Sequence, residues 1–393
     1  MKKQPAFSKI SGSVTAARGY RAIGLAAGIK PNGKKDLALI VSDLPATVAA
    51  TFTTNQVKAA PVRIDMEHVK SGHARAIVAN SGNANACTGK IGIIHAKAMA
   101  TGVARRIGCP VEQVLVCSTG RIGVLLPIVK VEAGIKKALK TASRGGTHAA
   151  AQAIMTTDTF PKECAVRVGK CHIGGIAKGA GMIHPKMATM LSFITTDAAV
   201  PRAGLQRALR TAVNHSFNRI SVDGDTSTND TVILMANGAA GNVPLPEFQE
   251  ALNFVCLELA KMIVRDGEGV SRFVTVNVHS AASDRDAETA ARAVANSVLV
   301  KTSWCGGDPN WGRILDALGY SRAKVREEQV DIAYDGVPAV RRGMPEKTPQ
   351  AKLKKIVAQP AFTIDIHLHL GRGHCTMHTC DLTEKYVELN KGE

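Results

Sequence analysis

The segment Lys178-Gly-Ala-Gly-Met-Ile183, followed by Lys186-Met-Ala-Thr189, puts glycines and a lysine ahead of a single Ala188-Thr189 step and the apolar run Met190-Leu-Ser-Phe-Ile194. A threonine hydroxyl is a weak nucleophile at its free pKa and needs an adjacent base. If the chain cuts itself before Thr189, the new α-amino group of that residue supplies the base, with an ordinary pKa of about 7.7–8.0. Spacing alone does not compel this reading, because Ala-Thr is a common dipeptide and a motif needs its structural context.

Other groups could do chemistry. Ser118-Thr119-Gly120 closes a short apolar run at a glycine, where a hydroxyl and a backbone N–H can face a developing oxyanion; an ordinary strand exit has the same look. Glu268, in Asp266-Gly-Glu-Gly269, is a loop acid able to hold a substrate ammonium. Gly174-Gly-Ile-Ala-Lys-Gly-Ala-Gly181 lacks the spacing of a Walker loop or a dinucleotide loop and runs into His184-Pro185, which stops a helix. The polar run Asp223–Asp230 lacks the sixth-position glycine of a calcium loop, and Leu234 stands where the bidentate glutamate belongs. His367, His369, His374, Cys375, His378 and Cys380 lack paired zinc-finger spacing. No metal site is expected.

The elements that must carry these groups alternate. Apolar runs predict strands over 36–42, ending at a turn Asp43-Leu-Pro45, and over 75–79, 113–117, 172–177, 191–195, 231–235, 273–278 and 361–369. Helical spacing predicts helices over 92–107, 130–141, 148–155, 204–217, 246–265 and 287–299, with Gly108 stopping the first and Asp284 or Asp286 capping the last. The fold class is therefore α/β, a mixed α+β arrangement with strands that look like hairpins. Its 393 residues suggest about two domains.

Composition excludes several classes. Hydrophobic residues make up 45%, as in a globular protein, and no apolar run reaches the ~18 residues of a membrane span. The amino terminus lacks the apolar core of a signal peptide, so the expected location is cytoplasmic. Nine cysteines without a CxxC fit buried reduced thiols better than a disulfide framework. The net charge of +18 suggests a nucleic acid, but the basic residues are scattered doublets with few aromatic neighbours. A field that draws small anionic substrates is the better account, with no nucleic-acid or membrane partner.

Taken together, these segments resemble the ornithine acetyltransferase family, the glutamate N-acetyltransferases of arginine biosynthesis. The likeness runs through Gly28-Ile-Lys30, Asp36-Leu-Ala-Leu-Ile40, Phe52-Thr-Thr-Asn55, Asn80-Ser-Gly-Asn-Ala-Asn-Ala86, Ser118-Thr-Gly120 and Met155-Thr-Thr-Asp-Thr159. It continues through Lys178–Met182, Met187–Leu191, Ser221–Asp230, Asp266–Gly269, Asp308-Pro-Asn-Trp-Gly-Arg313 and Asp381-Leu-Thr383.

The resemblance implies a two-domain α/β sandwich with the logic of N-terminal-nucleophile enzymes, cleaved between Ala188 and Thr189 into an α chain, 1–188, and a β chain, 189–393, that assemble as α2β2. It implies ping-pong transfer of acetyl from N-acetylornithine to glutamate through Thr189, with no cofactor. Some members also take acetyl from acetyl-CoA. By position, Thr119 and Gly120 match the oxyanion hole, and Thr157, Lys178, Glu268 and Asn390 match substrate-binding residues. The chain departs from the family at Arg272, where lysine is usual, and by ending three residues after Asn390, before the family's terminal hydroxyl residue. An amidohydrolase that passes the acyl group to water is the alternative.

Overall fold

The computed structural model describes residues 5–184 and 190–391. They divide into two units, one of residues 1–218 and 225–263, the other of 219–224 and 264–393.

In the first unit the chain runs β1 (Ser8–Lys9), β2 (Tyr20–Leu25), β3 (Leu37–Phe52), α1 (Ala60–His68), β4 (His73–Asn83), α2 (Gly89–Ile107), β5 (Val114–Arg121), α3 (Ile128–Thr141) and α4 (Thr147–Ile154). It continues through β6 (Lys162–Val168), β7 (Cys171–Lys178), β8 (Leu191–Ala198), α5 (Arg202–Asn214), β9 (Thr231–Gly241) and α6 (Leu245–Arg265), whose last turn crosses the boundary. Nine strands form one sheet in the order β1-β6-β7-β8-β9-β3-β4-β5, with β2 also on β3. β4·β5 and β8·β9 are parallel, and β6, a strand the sequence reading did not expect, pairs antiparallel with β7.

The period-two side-chain alternation of a strand explains how β3 is buried on both faces. Leu37, Leu39 and Val41 join one apolar cluster with Val131 and Ile135 of α3, while Ala38 and Ile40 join another with Ala150 and Ile154 of α4. The turn expected at Asp43-Leu-Pro45 is absent: β3 runs through it as an exposed irregularity between Val41 and Ala46. Extra unpaired residues tolerate a proline and bend the strand. The bend lets β3 pair with β2 over 37–42 and with β9 over 47–52, so one strand joins both halves of the sheet.

The second unit holds β10 (Phe273–Ala281), α7 (Asp284–Asn296), α8 (Val298–Cys305), α9 (Trp311–Gly319), β11 (Asp331–Tyr334), β12 (Val337–Arg341), β13 (Met344–Pro345), α10 (Gln350–Val357), β14 (Ala361–His367), β15 (Gly373–Cys380) and α11 (Glu384–Leu389). Its six strands run β13-β12-β11-β14-β10-β15 around a separate core containing Val276, Trp304 and Ile364. The helix expected over 287–299 is two helices. Ser283 caps α7 by accepting from the Asp286 N–H, in place of Asp284 or Asp286, and Ser297 ends it and caps α8 by accepting from the Val300 N–H. A serine oxygen satisfies first-turn N–H groups that a continuous helix would have bonded internally. The strand expected over 361–369 stops at His367, and His369 has a positive φ of 53°. The fold class is the mixed α/β arrangement read from the sequence.

Candidate active site

The parallel pair β4·β5 runs in register from Ala76↔Val114 to Gly82↔Gly120. Asn80 accepts a hydrogen bond from the Ser118 hydroxyl at 2.6 Å and donates to the Asn83 carbonyl at 2.8 Å, tying the two strand ends together. Gly120 has φ +127°, and a Cβ there would stand 2.4 Å from the Gly82 carbonyl carbon. Only glycine meets both conditions. Thr119 is buried. A buried hydroxyl and a glycine N–H at a strand exit are suited to receive a developing oxyanion.

Three elements hold this exit. The Asn229 amide, itself buried, donates to the carbonyls of Ala84 at 2.7 Å and Ser118 at 2.9 Å. Asp230, next in the chain and fully buried, accepts from the Met190 N–H at 2.8 Å. Thr189 and Ala188 lie outside the described residues. The neighbour that follows Thr189 and the neighbour that precedes Thr119 are thus bonded to two consecutive side chains. The 225–230 loop is in turn fixed by Phe52-Thr-Thr-Asn55: Thr53 donates to the Ser227 carbonyl and Asn55 to that of Thr226. This loop's polar groups serve the surrounding backbone, and no group of residues able to hold a metal occurs among the described residues.

Lys178 ends β7, opposite Leu191 of β8, and is almost wholly buried. Its ammonium stands 3.9 Å from Asp158 Oδ2, while the buried Lys162 ammonium is 2.6 Å from Asp158 Oδ1. Asp158 also accepts from the N–H groups of Thr156 at 2.9 Å and Gly179 at 2.7 Å. One carboxylate therefore joins the exposed loop of Thr157 to the Lys178-Gly179 strand end. Burial drives the Asp158 carboxyl up, but Lys178 and Lys162 together outweigh it and hold it well below the usual carboxylate range.

Asp230 behaves oppositely: burial pushes its carboxyl well above the usual range, against the Met190 N–H and the field of Lys178. Its second oxygen has no hydrogen-bond partner among the described residues. Lys30, half-buried, is pushed down to about 8 by burial, although Asp36 and Asp158 oppose the shift. Its ammonium donates to the carbonyls of Lys35 and Met155, bracing the base of the Thr157 loop.

The second unit carries the other two expected residues. Glu268 accepts from the Asn390 amide at 2.8 Å, across 122 positions of sequence. Gly269, with φ +69°, lets α11 close in, since a Cβ there would meet the Tyr386 nitrogen at 2.6 Å. Arg272 contacts Asp381 at 3.4 Å and donates to the carbonyls of Val357 and Cys305, so its planar fork braces the unit from several sides. Among the histidines and cysteines of the 367–380 stretch, His374 is exposed beside Asp284, His378 stacks on Phe273, and Cys375 and Cys380 are buried. All nine cysteines are free.

Sequence reasoning named Thr119, Gly120, Thr157, Lys178, Glu268 and Asn390; the structure brings Lys178 to the carboxylate that holds the Thr157 loop and joins Glu268 to Asn390. It missed Asp158, Asn229 and Asp230 as residues that position them. Asp158 lay inside Met155-Thr-Thr-Asp-Thr159, and Asn229-Asp230 closed a polar run directly before a core strand. A charged or amide residue at the lip of an apolar strand was the available signal.

Two sheets, with a glycine-ended strand, a lysine-rich carboxylate cluster and a clamped strand start on the first, define an α/β enzyme. The ArgJ family model matches residues 21–392. The chain is 50% identical to the arginine biosynthesis bifunctional protein ArgJ of Geobacter sulfurreducens, covering 95% of this chain and 98% of that protein. It is 47% identical to the protein of the same description from Symbiobacterium thermophilum, covering 97% and 98%. The crystal structure of ArgJ from Bacillus halodurans is 41% identical, with TM-score 0.51, and covers 52% of this chain and 100% of that chain. The chain belongs to the ArgJ family.

Proposed function

We propose that this chain, an acyltransferase of arginine biosynthesis, cuts itself between Ala188 and Thr189 and then carries acetyl on the Thr189 hydroxyl from N-acetylornithine to glutamate. The observation that carries the reading is the Asn229-Asp230 pair, which bonds to Ser118 on one side and Met190 on the other.

In the first half-reaction the Thr189 oxygen attacks the acetyl carbonyl carbon, and the Thr189 amine takes the hydroxyl proton. The tetrahedral oxyanion accepts from Thr119 and the Gly120 N–H; one such donor is worth about 2.7–4 kcal/mol in the barrier. The amide C–N bond breaks, the proton passes to the leaving nitrogen, and ornithine departs. In the second half the glutamate amine attacks the acetyl ester and loses its proton to the Thr189 amine. The C–O bond then breaks and returns the hydroxyl. Lys178 pairs with a substrate carboxylate; Thr157 lies on the loop that Asp158 ties to it, and Glu268 with Asn390 receives the amino end. Acetyl-CoA is a second acetyl donor.

Cleavage before residue 189 would leave β7 in the 1–188 fragment and β8 in the 189–393 fragment. These strands pair antiparallel from Ile173↔Thr196 to Lys178↔Leu191, so the fragments would stay joined by a shared sheet, and the proposed assembly is α2β2. No helix among the described residues is long and apolar enough to cross a membrane, and the proposed location is the cytoplasm.

Intact mass of the purified protein tests the cleavage: two fragments meeting at 188/189 for the wild type and one full-length chain for Thr189→Ala. Formation of N-acetylglutamate from N-acetylornithine and glutamate separates transfer from release of acetate to water. A wild type that turns over while uncut would end this reading.

A further inference from the structure

A cleft of about 320 Å³ opens in the first unit, lined by Val57, Lys58, Arg63, Cys87, Lys90 and Ile93 among others, and no acidic residue lines it. No carboxylate pairs with Lys58, Arg63 or Lys90 among the described residues. Lys58 donates to the Asn55 carbonyl and Arg63 uses only Nε, on the Lys58 carbonyl, which leaves the rest of its planar fork. The 19-residue helix α2 also begins here, at Thr88, with no side chain capping its first turn. Its first-turn N–H groups add the positive end of the helix dipole to three basic side chains. Cavity, unpaired cations and uncapped helix start coincide in one place.

We infer that this cleft holds the phosphate groups of a nucleotide-bearing acyl donor. The inference rests on the reading of acetyl-CoA as a second donor and gives that donor a place. Arg63 matches a phosphate bidentately, while Lys58 and Lys90 act as point charges. Val57 and Ile93 supply apolar surface for the rest of the ligand. The cleft connects directly to the oxyanion strand: Gly82 pairs with Gly120, Ala84 donates to the Arg121 carbonyl, and Gly123 donates to the Ala86 carbonyl. The five steps along the chain from Gly82 to Cys87 span at most about 18 Å. An extended thioester arm anchored at the cleft can therefore point toward Gly120. N-Acetylornithine carries no phosphate and does not use the cleft.

The test compares wild type with Arg63→Ala and Lys90→Ala, both exposed positions that leave the core intact. The probe for direct binding is adenosine 3′,5′-bisphosphate, titrated by calorimetry at low and at physiological salt. The wild type should bind it and each variant should bind roughly tenfold more weakly, as expected for one lost charge-assisted contact. Salt should weaken wild-type binding more steeply than variant binding. In kinetics, KM for acetyl-CoA should rise in the variants while KM for N-acetylornithine stays put. Should acetyl-CoA prove not to be a donor, the second-donor reading fails, yet variant-sensitive binding of the bisphosphate would still support the cleft. Equal binding by wild type and both variants, or no binding at all, overturns it.

Discussion

The Asn229 side chain donates to the Ser118 carbonyl at 2.9 Å, across 111 positions of sequence. That bond fixes the strand end carrying Thr119 and Gly120 against the loop whose next residue, Asp230, holds the Met190 N–H. Under the proposed function, one dipeptide anchors both the strand end of the oxyanion donors and the residue after the nucleophile before any substrate arrives. Such preorganisation lowers the barrier because the dipoles need not reorient during reaction.

Replacing Asn229 by alanine orphans the carbonyls of Ala84 and Ser118. The expected result is a loss of about 1–3 kcal/mol in unfolding free energy, together with a fall in kcat larger than any change in KM. Urea unfolding and steady-state kinetics on one preparation check both. A stability loss without a kcat effect would reduce Asn229 to a purely structural role.

Gly120→Ala places a methyl group against the Gly82 backbone at a φ that alanine rarely adopts. The strand end must shift, and under the proposed function the N–H that would meet the oxyanion shifts with it. A drop of roughly 10²–10³ in kcat is expected, the size seen when one oxyanion donor is removed. Thr119→Val removes only the hydroxyl and is expected to lower kcat with little change in thermal midpoint. Turnover assays paired with thermal melts distinguish the two.

Asp158 binds its two lysines as a carboxylate, so its folded pKa lies below the unfolded value of about 3.9. Its contribution to stability is complete above that unfolded value and fades as pH falls from there toward the folded one. Asp158→Asn leaves two buried ammonium groups without their counter-ion and is expected to cost about 3–5 kcal/mol at pH 7. The gap to wild type should narrow below about pH 4, where the unfolded chain takes up a proton that the folded carboxylate does not. Denaturant titrations at several pH values read this directly; a gap independent of pH would assign the damage to packing.

Glu268 and Asn390 share one hydrogen bond in the second unit. Under the proposed function Glu268→Gln loses the charge that meets a substrate ammonium, and KM for N-acetylornithine should rise about tenfold or more. Asn390→Ala should produce a smaller rise, and the double variant should fall short of the product of the two because the residues are in contact. Kinetics on the two single variants and the double variant provide the cycle. Additive effects would mean that the pair acts separately.

Much of the first sheet was legible because its strands are unbroken apolar runs: 113–117 and 231–235 read as strands since both faces are buried. β3 was read too short because a proline ordinarily ends a strand, and nothing local announces a bend that serves two partners. The break at Ser297 was hidden for a related reason: the apolar spacing of α7 continues into Val298–Val300, and only the serine's capping bonds reveal the stop.

The sequence by itself determined the chemistry on offer: which threonines, glycines, lysines and acids stand beside apolar strand ends, and the family to which that series of motifs belongs. Those properties are local, since residue type and spacing set propensity and reactivity. Only the tertiary structure decided which groups act on one another. Asp158 gathers two lysines that lie 4 and 20 positions away, and Asn229 reaches Ala84 and Ser118 through sheet neighbours far apart in the chain. Strand order and register are collective results of packing both faces of a sheet. No short stretch of the chain contains them.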